Sequence, residues 1–187
     1  MSSIPNRIKA RLPKAGQIWP VFSIILFIVF SWMLYRYFFQ LPSWLYYMST
    51  QNIFVLLAYT LSFSFVESLS VLLYVLFICF IFPGKFFKEI FIPQGSLQVI
   101  IITGLTYFLR LRLEDLAEMD LRMLVAIGIG LIIIQALSVV VIYMFLKRLP
   151  VTARWISSFA ERMTIFYYLY APLGVLCTLI VIVRNIL

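Results

Sequence analysis

IFVLLAYTLSFSFVESLSVLLYVLFICFIF, residues 53–82, runs for thirty residues with one charged side chain, Glu67. Coiled as an α-helix, a run of this length extends about 45 Å, more than the ~30 Å hydrocarbon core of a bilayer. A barrel strand would alternate apolar with polar residues. The stretches 53–57 and 131–134 do not alternate, so helix is the reading. Four further apolar runs lie at 19–39, 91–109, 123–146 and 163–182. Each is long enough to cross, or nearly cross, the same core. The expected fold is therefore an all-α integral membrane protein, a single bundle of five transmembrane helices occupying 19–187 behind a basic cytoplasmic tail at 1–18. Run 53–82 exceeds the bilayer and must tilt, bend or project into the interface.

Composition agrees. Hydrophobic residues make up 64% of the chain and charged residues 12%, against roughly 45–50% and 25% in soluble domains. The chain has no histidine, which removes the commonest general base, proton shuttle and transition-metal ligand. Cys79 and Cys177 both lie in apolar runs and at different expected depths, so they read as apolar fillers and not as a disulfide. Arg7, Lys9, Arg11 and Lys14 precede the first run as in a signal peptide. That run is longer than the 7–15 residues of a signal core and lacks a small-residue cleavage site, so it is expected to be retained as a span.

Charge orients the spans. With the tail inside and crossings alternating, the inner segments hold Arg7, Lys9, Arg11, Lys14, Lys85, Lys88, Lys147, Arg148, Arg154 and Arg162, ten basic residues. The outer side holds Arg36, Arg110, Arg112, Arg122 and Arg184, five. Excess Lys and Arg in short loops marks the cytoplasmic side. A cell (plasma or inner) membrane protein with its N-terminus inside and its C-terminus outside is expected. Run 91–109 is diluted at its start by Pro93, Gln94, Gly95 and Gln98. Were it not to cross, Lys147, Arg148, Arg154 and Arg162 would move outside, so the charges support the crossing. The net charge of +8 is mostly this bias. A basic inner face attracts anionic lipids, and no nucleic acid need be invoked.

The connectors add detail. Trp44, Tyr46 and Tyr47 in the uncharged loop 40–52 read as rings settled at headgroup level. Residues 110–122, RLRLEDLAEMDLR, contain Glu114, Asp115, Glu118 and Asp120, weak candidates for holding a divalent metal. Arg110 and Glu114, and likewise Glu118 and Arg122, stand four apart, and Arg112 and Asp115 three, so a salt-laced helix end is the plainer reading. Val151, Trp155 and Phe159 recur every four residues in 148–162, while polar Arg154, Ser158, Glu161 and Arg162 lie elsewhere on the helical wheel. This is the pattern of a short amphipathic helix lying in the interface.

At mid-depth, Glu67 is fourteen residues from Ile53 and fifteen from Phe82. An acid there costs about 2.5–3.5 kcal/mol on the insertion scale, which the run's Leu, Ile, Val and Phe residues, at about −0.3 to −0.6 each, offset. Thr60, Ser64, Ser70 and Tyr74 fall at helical spacing around it, forming one polar stripe. Gln135 and Pro172 lie at similar depth in their spans, and Pro172 leaves the carbonyl of Tyr168 without its helical donor. Either Glu67 binds a proton or cation in a transport path or contacts a lipid headgroup, or it is a neutral strut that hydrogen-bonds Gln135 or a partner subunit. Ala126 with Gly130, and Gly174 with Thr178, are small residues spaced for close helix contact.

No catalytic constellation and no cofactor motif emerges. The leading expectation is a non-enzymatic subunit or assembly factor joined to another membrane protein or to itself. A small transporter or channel using Glu67 comes next, and a lipid-modifying enzyme built on the 114–120 acids last.

Overall fold

The computed structural model describes residues 13–82, 90–111 and 120–186. Every element among them is a helix: α1 Ala15–Trp44, α2 Thr50–Ile81, α3 Phe91–Leu111, α4 Leu121–Arg148, α5 Pro150–Arg162 and α6 Thr164–Ile186. All but α5 are long and apolar enough to cross a membrane. At 13 residues, α5 would span only about 20 Å. The architecture is the expected all-α membrane type, with the amphipathic segment helical as well.

Local chemistry sets the helix ends. At the start of α1, Gln17 Oε1 accepts from the Lys14 N–H at 3.2 Å, while the Gln17 N–H donates to the Lys14 carbonyl at 2.8 Å. This satisfies groups that a helix start otherwise leaves unpaired. The helix continues past Phe39 and through Pro42 to Trp44, so the connector expected at 40–52 contracts to residues 45–49. Tyr37 fixes this turn. Its ring meets Trp44 edge-on at 5.4 Å, and its hydroxyl donates to the Ile53 carbonyl at 3.0 Å. Tyr46 is 91% exposed and Tyr47 also stands clear, as interfacial anchors do. Leu149 alone separates α4 from α5, because Pro150 cannot continue a helix but suits the first position of a new one. Met163 marks the step from α5 to α6, its N–H still bonded to the Phe159 carbonyl at 3.0 Å.

Two compact units divide the chain. The terminal unit comprises Lys14–Phe77 and Phe159–Leu187, and the central unit Ile78–Ser158. In the terminal unit, α1 packs on α6 through rings: Trp19 lies 4.8 Å from Tyr167, Phe27 4.6 Å from Phe166, and Phe30 is stacked at 4.8 Å on Tyr170. Such pairs add about 0.5–1.5 kcal/mol beyond the area they bury. Helix α2 meets α6 differently. Tyr59 donates to Asn185 Oδ1 at 2.7 Å, Ser62 to Thr178 Oγ1 at 3.1 Å, and Phe65 Cβ would lie 2.7 Å from a Cβ placed on Gly174. Only glycine admits that approach. Numbers rise along α2 as they fall along α6, so the two helices are antiparallel. The short connector at 45–49 turns α1 back into α2, and α1 therefore runs in the direction of α6. Gly174 and Thr178, spaced for packing in the sequence, form this contact.

In the central unit α3 packs on α4. The diluted start of α3 is its most buried part: Phe91, Gln94 and Gln98 are all solvent-free. Ala126 and Gly130 do not act as a contact face there. Ala126 is exposed, and no described residue lies within 4 Å of a Cβ placed on Gly130. Cys79 and Cys177 are buried free thiols.

Candidate functional site

Helix α2 carries five serine and threonine residues through its middle; Ser62 donates to Thr178 on α6, and the other four satisfy themselves locally. Thr60 Oγ1 donates to the Leu56 carbonyl at 2.9 Å, Ser64 to Thr60 at 2.7 Å, Ser68 to Ser64 at 2.7 Å and Ser70 to Val66 at 3.0 Å. This back-bonding lets hydroxyls sit in an apolar helix without partners elsewhere. Glu67 has no such recourse, since its side chain cannot reach a backbone donor within a regular helix. It is exposed, and no hydrogen bond or ion pair of its carboxyl occurs among the described residues.

The expected polar stripe is not one environment. Ser64 is buried, Thr60 and Tyr74 are half-buried, and Glu67 and Ser70 are exposed. Stripe and surface diverge because Ser64 and Ser70 lie about 120° apart on the helical wheel, with Glu67 between them. Glu67 belongs instead to an exposed face with Phe63 (65%), Val66, Ser70, Leu73 (67%) and Phe77. It is the only charged residue from Thr50 to Ile81.

A second polar cluster ties α3 to α4. Gln94 Nε2 donates to the Val139 carbonyl at 2.8 Å, and Gln98 Nε2 to Ser138 Oγ at 3.0 Å. Ser138 Oγ in turn donates to the Gln135 carbonyl at 2.7 Å. Among the described residues, Gln94 Oε1 and Gln135 Nε2 are buried and find no partner. Depth in the sequence points to Gln135, but it does not mark Gln94 and Gln98 as site residues. Their signal was present: a spacing of four places both amides on one helix face.

Pro172 is exposed and lines a shallow apolar groove of about 570 Å³ with Tyr168, Ala171 and Val175 among others. Of the acids considered for metal, Glu114, Asp115 and Glu118 lie outside the described residues. Asp120 stands just before α4, its carbonyl accepting from the N–H groups of Met123 at 2.9 Å and Leu124 at 3.1 Å. That is the N-cap position, where aspartate is favoured for reasons unrelated to metal. No group of three or more potential ligands gathers among the described residues.

The chemistry the described residues offer is thus hydrogen bonding, with one exposed carboxyl at the middle of a long apolar helix. Comparison with protein-family models, with curated proteins and with solved structures finds no match for this chain.

Proposed function

We propose that the chain is a non-enzymatic, multi-pass subunit or assembly factor of a larger membrane complex, and that its partner docks on the Glu67 face of α2. The exposed, unpartnered carboxyl at mid-helix carries this reading. An acid facing hydrocarbon is costly, and intramembrane ionisable groups turn instead toward protein or water. The flanking Phe63, Leu73 and Phe77 supply apolar surface for a partner helix. A donor on that helix would add about 0.6–2 kcal/mol of specific attraction.

The proposed topology places the N-terminus in the cytoplasm and the C-terminus outside a cell (plasma or inner) membrane, through five crossings. The basic-residue distribution supports it. So do the helix directions within the terminal unit: α1 and α6 run the same way, as the first and last of five alternating spans must.

A photo-activatable crosslinker at Ser70, beside Glu67, should capture a membrane protein in intact membranes, and one at Phe63 should capture the same protein. Adducts with lipid alone at both positions would refute the docking face. Capture of a second copy of the chain would replace the heterologous partner with a homo-oligomer.

A further inference from the structure

We infer that the central unit holds a site for a phosphate-bearing anionic headgroup, in a cleft where the start of α3, the end of α4 and the first turns of α5 meet. The cleft encloses about 540 Å³. Ile90, Pro93 and Leu146 form an apolar floor, and Lys147, Arg154, Ser157 and Ser158 the polar side. None of the described residues lining it is acidic. Neither Lys147 nor Arg154 has a carboxylate partner among the described residues. Lys147 Nζ lies 5.9 Å from the centroid of the Tyr143 ring, near the limit of a cation–π contact, leaving its charge available.

Helix ends do not decide the sign of the ligand. The C-terminus of α4 and the N-terminus of α5 meet at Leu149 with opposite partial charges that offset one another. Attraction for an anion therefore rests on the two side chains. The Arg154 guanidinium can grip two phosphate oxygens at once, and Lys147 adds a point charge. Ser157 Oγ already donates to the Ala153 carbonyl at 3.0 Å, so it serves as an acceptor for a ligand hydroxyl. Ser158 Oγ is free to donate among the described residues.

The neighbouring face of α5 indicates a membrane source for the phosphate. Val151 (65%) and Trp155 (75%) are exposed beside the cleft on the same helix. They would anchor α5 at headgroup depth, with Arg154 reaching from the same surface. A phospholipid bearing one net negative charge places its phosphate on the cations and its acyl chains against the apolar floor and the surrounding hydrocarbon. A soluble phosphate would use the cations but leave the floor unused.

The test is lipid retention on the full-length protein, read by native mass spectrometry in mild detergent with phosphatidylglycerol or phosphatidylcholine added. Lys147 and Arg154 are both exposed, so Lys147→Gln with Arg154→Gln preserves the fold. Each charge near an anionic surface is worth about fivefold, so the double variant should lose about 25-fold of phosphatidylglycerol affinity. Arg148→Gln with Arg162→Gln removes the same charge from two residues that do not line the cleft and should lose markedly less phosphatidylglycerol affinity than the cleft pair. Equal losses in the two double variants, or no preference for phosphatidylglycerol over phosphatidylcholine, would overturn the site. Glycerol phosphate added in excess separates the sources: failure to displace the lipid identifies the lipid as ligand, and displacement at equal concentration assigns the site to a soluble phosphate. Glu67 lies in the other unit, so its variants should leave this retention unchanged.

Discussion

Glu67 and the hydroxyls around it show how little separates a tolerated polar residue from a recognition element. Thr60, Ser64, Ser68 and Ser70 bond to their own helix, while the carboxyl must look outward. Glu67→Gln retains both shape and hydrogen-bonding capacity, and assembly with the partner should remain within about 1 kcal/mol of wild type. Glu67→Leu removes the hydrogen bond and eases insertion, so membrane yield should hold while assembly weakens by about 0.6–2 kcal/mol. Both are measured by quantitative co-purification. A Glu67→Gln protein that folds and assembles but loses an ion flux in proteoliposomes would instead mark a proton or cation carrier. The sequence located Glu67 because charge in an apolar run is visible without a fold. Which way it faces was not legible, since the stripe around it spans both a buried and an exposed sector.

At the scale of helices, contacts follow small and amide residues more than the apolar majority. Gly174 is fixed by Phe65, so Gly174→Leu should cost about 1–3 kcal/mol through overpacking. Phe65→Ala in the same chain should recover much of that loss, because the two positions touch and their effects couple. Unfolding of the purified protein in denaturing detergent reads both. In the α3–α4 pair, Gln98→Leu strips the Ser138 contact and should destabilise. Gln135→Leu discards a buried donor that has no acceptor, so it should be neutral or stabilising by about 1 kcal/mol. Span positions were readable from hydropathy to within a few residues. Gln94 and Gln98 read as a weakness in the third span because composition counts polarity, whereas packing depends on the face that carries it. The two small-residue pairs looked alike in sequence. Among the described residues only Gly174 with Thr178 forms a helix contact, since sequence spacing does not reveal whether a neighbouring helix arrives.

For the whole molecule, the charge bias and the shared direction of α1 and α6 both support the proposed five-crossing topology. Single cysteines at Ser43 and Ser157, in a background with Cys79 and Cys177 replaced by alanine, should differ in their access to a membrane-impermeant maleimide. Intact cells should label the first only, and equal labelling would rule out the proposed orientation. The central claim is that this chain completes itself on another protein through the Glu67 face. Its most direct measurement is the mass and composition of the complex purified in mild detergent from wild-type and Glu67→Leu cells. The account predicts a larger membrane protein in fixed ratio with the wild-type chain, depleted from the Glu67→Leu preparation. A wild-type chain that purifies as a monodisperse monomer from freshly solubilised membranes, with no partner retained under any mild detergent, would contradict it.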